Sequence, residues 1–142
     1  MRNILVTGGA GFIGSHTVLC LLQSGFRVTV VDNLCNSTFE SLNRVESICG
    51  LSIERHHIDI TDECSLSKIF ACGSFDAVIH FAGLKAVGES VSRPLEYYHA
   101  NVHGTFCLVR QMLRHSVHRL VFSSSATVYG LEAPVPYVET LQ

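Results

Sequence analysis

Thr7-Gly8-Gly9-Ala10-Gly11-Phe12-Ile13-Gly14 is the stretch that decides the fold. It follows an apolar run, Asn3-Ile4-Leu5-Val6-Thr7, that reads as a buried strand. It opens a helical pattern from Phe12 to about Ser24, closed by Gly25 as a C-cap. Gly9, Gly11 and Gly14 satisfy Gly-x-Gly-x-x-Gly, and Gly8, Gly11 and Gly14 satisfy Gly-x-x-Gly-x-x-Gly. Such a turn needs glycine three times: for the tight bend, for close approach of the backbone to a pyrophosphate, and for packing the helix on the strand. The helix start offers unpaired N–H groups and a positive dipole end to phosphate. No Gly-Lys-Ser/Thr follows, which excludes a Walker-type loop.

Outward from this turn the pattern alternates. Arg27 to Val31 reads as a second strand, and 39–49 as a helix with Phe39, Leu42, Val45 and Ile48 on one face. Leu51 to His57 is a weaker third strand suited to a sheet edge. Thr61 is the expected cap of a short helix over 62–71. Asp76 to Phe81 is a fourth strand. Pro94 begins a long helix to about Arg114, with Leu95, Tyr98, Val102, Phe106, Val109 and Leu113 at core spacing. Arg119 to Ser123 is a fifth strand, and the tail from Leu131 reads as loop. Strands and helices in alternation imply an α/β fold: a Rossmann-type, doubly wound parallel sheet joined by right-handed crossovers. Parallel strands buried on both faces are nearly all apolar, and only 15% of residues are charged, against about 25% in an average protein. The 142 residues suit one domain, spanning 1–142, with the sheet truncated after its fifth strand.

Asp32 ends the second strand, 18 residues after Gly14. A carboxylate there binds adenosine ribose hydroxyls and repels a 2′-phosphate, and no Arg lies within 33–38, so NAD is favoured over NADP. Spacing leaves Asp59 two roles, a contact to the adenine edge or a helix cap. Three serines, Ser123 to Ser125, end the fifth strand, where unpaired hydroxyls are costly. Net charge is −2 with no basic cluster, which argues against a nucleic-acid partner. Glycines and polar residues interrupt the uncharged stretch from Asn3 to Phe26, which argues against a membrane span or signal peptide. Asn36-Ser37-Thr38 matches a glycosylation sequon that carries no meaning without secretion. The six cysteines form no Cys-x-x-Cys and no zinc spacing, and the eight histidines share no metal spacing. The cysteines are expected reduced, packing as small hydrophobes on apolar faces such as that of Cys20. His80 is expected to be a satisfied core histidine, and Gly104 to mark close packing inside the long helix, since it costs about 1 kcal/mol against Ala.

Gly8 to His16, Asp32 to Ser37, Asp59-Ile60, His80 to Ser90, Pro94 to Tyr98, Asn101 to Thr105 and Phe122 to Gly130 together resemble the UDP-glucose 4-epimerase family of extended short-chain dehydrogenases/reductases. The stretch from His80 to Ser90 is the part specific to the epimerases. The resemblance implies that Gly8, Gly11, Phe12, Ile13 and Gly14 hold the NAD pyrophosphate. Asp32, Asn33, Leu34, Cys35, Asn36 and Ser37 would surround the adenosine ribose, and Asp59 and Ile60 the adenine. Phe81, Ala82, Gly83, Leu84 and Lys85 would line the cofactor, with Lys85 also toward the substrate, and Asn101 matches a motif asparagine. Ser125, as a supporting catalytic residue, with Ala126 and Thr127 would meet a UDP-sugar. Ala100 departs from relatives that carry a second asparagine there. A homodimer in the cytoplasm, serving galactose metabolism, is also implied.

The family's chemistry uses a Tyr-x-x-x-Lys pair. Four residues after Tyr97, Tyr98, Tyr129 and Tyr137 stand Asn101, Val102, Ala133 and Leu141, so no tyrosine here has it. A general base contributes about 10²–10⁴-fold. The expectation is therefore a truncated form of an epimerase, lacking the C-terminal substrate domain and inactive alone. The alternative is a non-catalytic NAD-binding chain that partners the full-length enzyme. A sugar-nucleotide 4,6-dehydratase fits less well, because of the His80 to Ser90 stretch.

Overall fold

In the computed structural model, β1 (Asn3–Thr7) pairs in parallel with β2 (Arg27–Asp32) on one side and with β4 (Ala77–His80) on the other. The structure describes residues 2–130 and 134–140, without the side chains of Ala126 and Thr127. β3 (Glu54–His57) pairs with β2 and β5 (Leu120–Phe122) with β4, also in parallel, so the sheet order is β3-β2-β1-β4-β5. The chain reverses its direction of sheet growth at β1. Doubly wound sheets open a crevice at such a point, beyond the carboxyl ends of the strands.

Side chains of β1 alternate between two cores, which is why the run is apolar throughout. Ile4 and Val6 pack with Val18 and Leu22 of α1 (Phe12–Gln23) and with Leu42 and Val45 of α2 (Glu40–Cys49). Leu5, with Val31 and Val78, faces Leu66, Ile69 and Phe70 of α3 (Glu63–Cys72) and Leu108 and Met112 of α6 (Gly104–Arg114). Among the described residues no helix is long and apolar enough to cross a membrane.

Several expectations change. β3 is shorter than 51–57 and takes the sheet edge as anticipated. Its residues are half-buried or exposed, because only one neighbouring strand covers them. Asp62, not Thr61, caps α3: its carboxylate accepts the Ser65 N–H at 3.1 Å. Thr61 instead donates its N–H and hydroxyl to Asp59. Ile48 is exposed, since the buried side of α2 ends at Val45. A short α4 (Val87–Ser92) forms where loop was expected; Tyr97 donates to the Glu89 carboxylate at 2.8 Å and ties it to α5 (Pro94–Tyr97).

The long helix is compound. α5 passes into a π-helical stretch, Tyr98–His103, before α6 resumes. Its buried face is Tyr97, Gly104, Cys107, Leu108, Gln111 and Met112. Leu95, Tyr98, Val102, Phe106 and Leu113 of the expected core row are exposed instead. The sequence carries two largely apolar stripes, and the one running through Tyr97, Gly104, Leu108 and Met112 is buried on both sides of the wider turn. All six cysteines are free, and only Cys107 is buried. Cys20 is exposed, contrary to its expected packing, because α1 turns Val18 and Leu22 inward.

Candidate functional site

The glycine turn is built around contacts that no side chain could enter. Gly8 has φ +71°, and a Cβ there would lie 2.6 Å from the Ala82 nitrogen. A Cβ on Gly14 would lie 2.3 Å from the Gly8 carbonyl oxygen, so the first turn of α1 rests directly on the loop. Gly8 donates its N–H to the Val31 carbonyl at 2.8 Å, and Gly11 donates to the Gly8 carbonyl at 3.2 Å. No side chain caps α1 and no acidic residue sits in its first turn. Its N–H groups and positive dipole end therefore face the crevice. Phe12 and Ile13 stand exposed beside them, 81% and 61% accessible.

On the β2 side, Asp32 is buried, and three donors converge on its carboxylate. Oδ2 accepts the Ala10 N–H at 3.0 Å; Oδ1 accepts the Leu34 N–H at 2.9 Å and the Ser37 hydroxyl at 2.8 Å. The carboxylate thereby joins the glycine turn to the loop after β2, and it retains capacity for one more donor. Leu34, at φ 56°, is held by this bond. Asn33 donates from Nδ2 to Asp59 at 2.7 Å. Partial burial of Asp59 opposes its charge. Hydrogen bonds from the Thr61 N–H, from Asn33 and from the Thr61 hydroxyl, with His99 nearby, outweigh that and hold its carboxyl below the usual range. Asp59 thus braces two loops, and the helix-capping alternative falls to Asp62.

The opposite wall is the segment after β4. Asn101, in the π-helical stretch, accepts the Leu84 N–H on Oδ1 at 2.7 Å and donates from Nδ2 to the Leu84 carbonyl at 3.0 Å. Its amide is therefore committed to the loop backbone. His80 is buried and bonded on both ring nitrogens, to Thr7 Oγ1 at 2.6 Å and Thr105 Oγ1 at 3.0 Å. Burial, helped by the Lys85 charge, pushes its pKa down to about 4.

These walls enclose a cleft of about 250 Å³. Its lining includes Gly8, Gly11, Phe12, Ile13, Gly14, Asp32, Asn33, Cys35, Asn36, Asp59 and Ile60 from one side. Phe81, Ala82, Gly83, Leu84 and Lys85 line the other. Leu34, Ser37 and Asn101 stand behind the lining and hold residues that form it. Val31, Ile58 and Ser123 also line the cleft and were not anticipated as site residues, and Ala100, at the position where relatives carry a second asparagine, lines it too. The signal for Ser123 was the serine triplet; Ile58 and Val31 were hidden because apolar strand ends look like core. Ser125 is exposed beyond β5, outside that lining, and its carbonyl accepts the Val128 N–H at 3.1 Å. Ala126 and Thr127 begin the 3-10 turn Ala126–Tyr129, their side chains lying outside the described ones. Among the described residues, no three His, Cys, Asp or Glu side chains form a metal-holding group. The arrangement fits an extended anionic ligand with polar ends. The glycine cradle has room only for backbone, the open helix terminus suits phosphate, and Asp32 can take a further hydroxyl.

A UDP-glucose 4-epimerase of Dictyostelium discoideum is 57% identical over 137 residues, 96% of this chain and 40% of its own length. One from Neisseria meningitidis serogroup C is 55% identical over 142 residues, all of this chain and 42% of its own. The crystal structure of the Bifidobacterium longum UDP-glucose 4-epimerase, in complex with NAD+ and UDP, superposes with a TM-score of 0.95 at 48% identity, covering 99% of this chain and 42% of that one. The chain thus spans about 40% of the length of the curated relatives it matches. The NAD dependent epimerase/dehydratase family matches residues 4–142, and with these matches the chain belongs to that family.

Proposed function

We propose that this chain supplies the NAD-holding part of an epimerase acting at C4 of UDP-glucose and UDP-galactose. The observation that carries the reading is the cleft at the β1 reversal, with a glycine cradle, an open α1 terminus and a buried Asp32 around one crevice. The match to UDP-glucose 4-epimerases across nearly the whole chain supports the same activity. NAD, when bound, supplies a hydride acceptor that returns the hydride. The residues here hold and orient it. The α1 terminus with Gly11, Phe12 and Ile13 takes the pyrophosphate, Asp32 takes ribose hydroxyls, and Asp59 with Ile60 meets the base. Phe81 to Lys85 form the facing wall, with Lys85 lending positive charge. Ser125, Ala126 and Thr127 are assigned to the UDP-sugar by resemblance.

A second reading, NAD binding without catalysis by this chain, is favoured by one observation: no tyrosine here precedes a lysine by four residues. We also propose the cytoplasm and a homodimer as the setting. Free thiols suit a reducing compartment, and the exposed helical row offers a second copy a surface to cover.

Calorimetric titration of NAD into the 142-residue chain, beside an assay of UDP-galactose conversion, tests both readings. Saturable NAD binding without turnover is the expected result. Absence of saturable binding overturns the cofactor reading, and turnover above a vector control overturns the expected inactivity of the chain alone.

A further inference from the structure

The His80 side chain lies outside the cleft lining, and only its backbone carbonyl meets a lining residue, by accepting the Ser123 N–H at 3.1 Å; the ring is not needed for the reading above. Its partners form a chain whose direction can be worked out. Thr105 Oγ1 is 2.6 Å from the Asn101 backbone carbonyl, which can only accept, so the single hydroxyl proton of Thr105 goes there. The same oxygen lies 3.0 Å from His80 Nε2 and is left as an acceptor, so Nε2 carries a proton. His80 Nδ1 then accepts the Thr7 hydroxyl at 2.6 Å. Every donor in this chain, buried at Thr7 and His80 and part-buried at Thr105, has one acceptor, and the polarity runs one way, from β1 through β4 to the helix. At its far end Asn101 grips Leu84 by both its N–H and its carbonyl. The π-helical stretch holds Asn101 at this place; such widened turns are frequent at functional sites.

We propose that His80 is a positioning residue, which as the neutral Nε2–H tautomer fixes Asn101 through Thr105 and thereby sets the Leu84 backbone in the cofactor-facing wall. The inference rests on the NAD reading for its purpose, but not for its geometry. Three variants of the 142-residue chain test it: Thr105→Val, which keeps shape and removes the relay; Thr105→Ser, which restores the hydroxyl; and Val45→Ala in the remote core as a control for general destabilisation. Thr105→Val is expected to weaken NAD binding about tenfold, the equivalent of one positioned hydrogen bond. It is also expected to speed exchange of the Leu84 amide relative to the amides of β1. Thr105→Ser should recover both, and Val45→Ala should change neither. Parental affinity with unchanged Leu84 protection in Thr105→Val overturns the proposal. If the parent binds no NAD, the cofactor reading fails by itself, and Leu84 exchange alone then upholds or overturns the positioning role. If Thr105→Val does not fold, nitrogen NMR of the parent decides. A His80 Nε2 carrying the proton with Nδ1 bare is the expected state; the opposite tautomer, or a doubly protonated ring at neutral pH, overturns it.

Discussion

Gly14 shows how little freedom the site's residues have. Its missing Cβ would meet two backbone atoms of the glycine turn, the Gly8 carbonyl oxygen at 2.3 Å and Gly9 Cα at 2.8 Å. Backbone cannot yield as a side-chain tip can, so Gly14→Ala should cost at least about 2 kcal/mol, read by urea unfolding. Gly25→Ala has φ +80° but open space around it, and should cost about 1 kcal/mol from backbone conformation alone. His80 makes a second residue-level prediction. An unfolded histidine titrates near 6.5, whereas His80 in the fold is held down to about 4. Between those values the unfolded chain binds the extra proton. The contribution of neutral His80 is therefore complete above pH 6.5 and lost as pH falls toward about 4. The difference is on the order of 3 kcal/mol. Stability measured across that window should fall less steeply in His80→Gln than in the parent. Roles such as these are half legible in sequence. The glycine spacing and Asp32 announce themselves by chain order. The converging donors on Asp32, and the commitment of Asn101 to Leu84, depend on loops that meet only in space.

The helices were placed by their apolar periodicity, and their facing was not. Over 94–114 the exposed and buried stripes are both apolar, so a 3.6-residue period cannot say which one meets the sheet. Gly104 is the residue that does say. A Cβ there would stand 2.8 Å from Ile60 Cδ1, so the helix lies against the loop that carries Asp59 and Ile60 into the cleft. Ala would raise helix propensity by about 1 kcal/mol. The collision with Ile60 should still make Gly104→Ala destabilising, by about 1–2 kcal/mol. Ile60→Val removes Cδ1, the nearer of the two side-chain atoms a Cβ would meet, leaves the carbon at 2.9 Å as a terminal methyl, and alone should cost about 1 kcal/mol. The double variant should lose less than the sum, by at least about 0.5 kcal/mol in thermal or urea unfolding. Strictly additive losses would contradict the contact. The strand edges were read more loosely. β3 was expected longer because Leu51 and Ile53 prolong an apolar pattern, but Ile53 spends its N–H on the Glu46 carboxylate at 2.7 Å, outside the sheet ladder.

For the molecule as a whole, the sheet has two edges among the described residues, polar β3 at one and apolar β5 at the other. Among the described residues β5 pairs only with β4, and its Leu120, Val121 and Phe122 are 38%, 59% and 52% accessible. Phe106 on α6 is 61% accessible as well. An apolar sheet edge with unpaired backbone groups templates association. The 142-residue chain should therefore sediment as concentration-dependent assemblies, and Val121→Lys with Phe106→Glu should shift it toward monomer. Unchanged sedimentation would show that these faces take no part. By itself, the sequence determined the order of the five strands and the four helices between them, the parallel doubly wound class, the glycine cradle and its carboxylate partner; α4 was not among them. Those properties are local: periodicity, turn chemistry and short spacings act within a few residues of one another. Only the tertiary structure decided which stripe of the long helix is buried, that Asp62 rather than Thr61 caps α3, and that His80 reaches Leu84 through Thr105 and Asn101. Each of those depends on which distant backbone and side-chain groups pack close enough to exclude water and exchange a hydrogen bond.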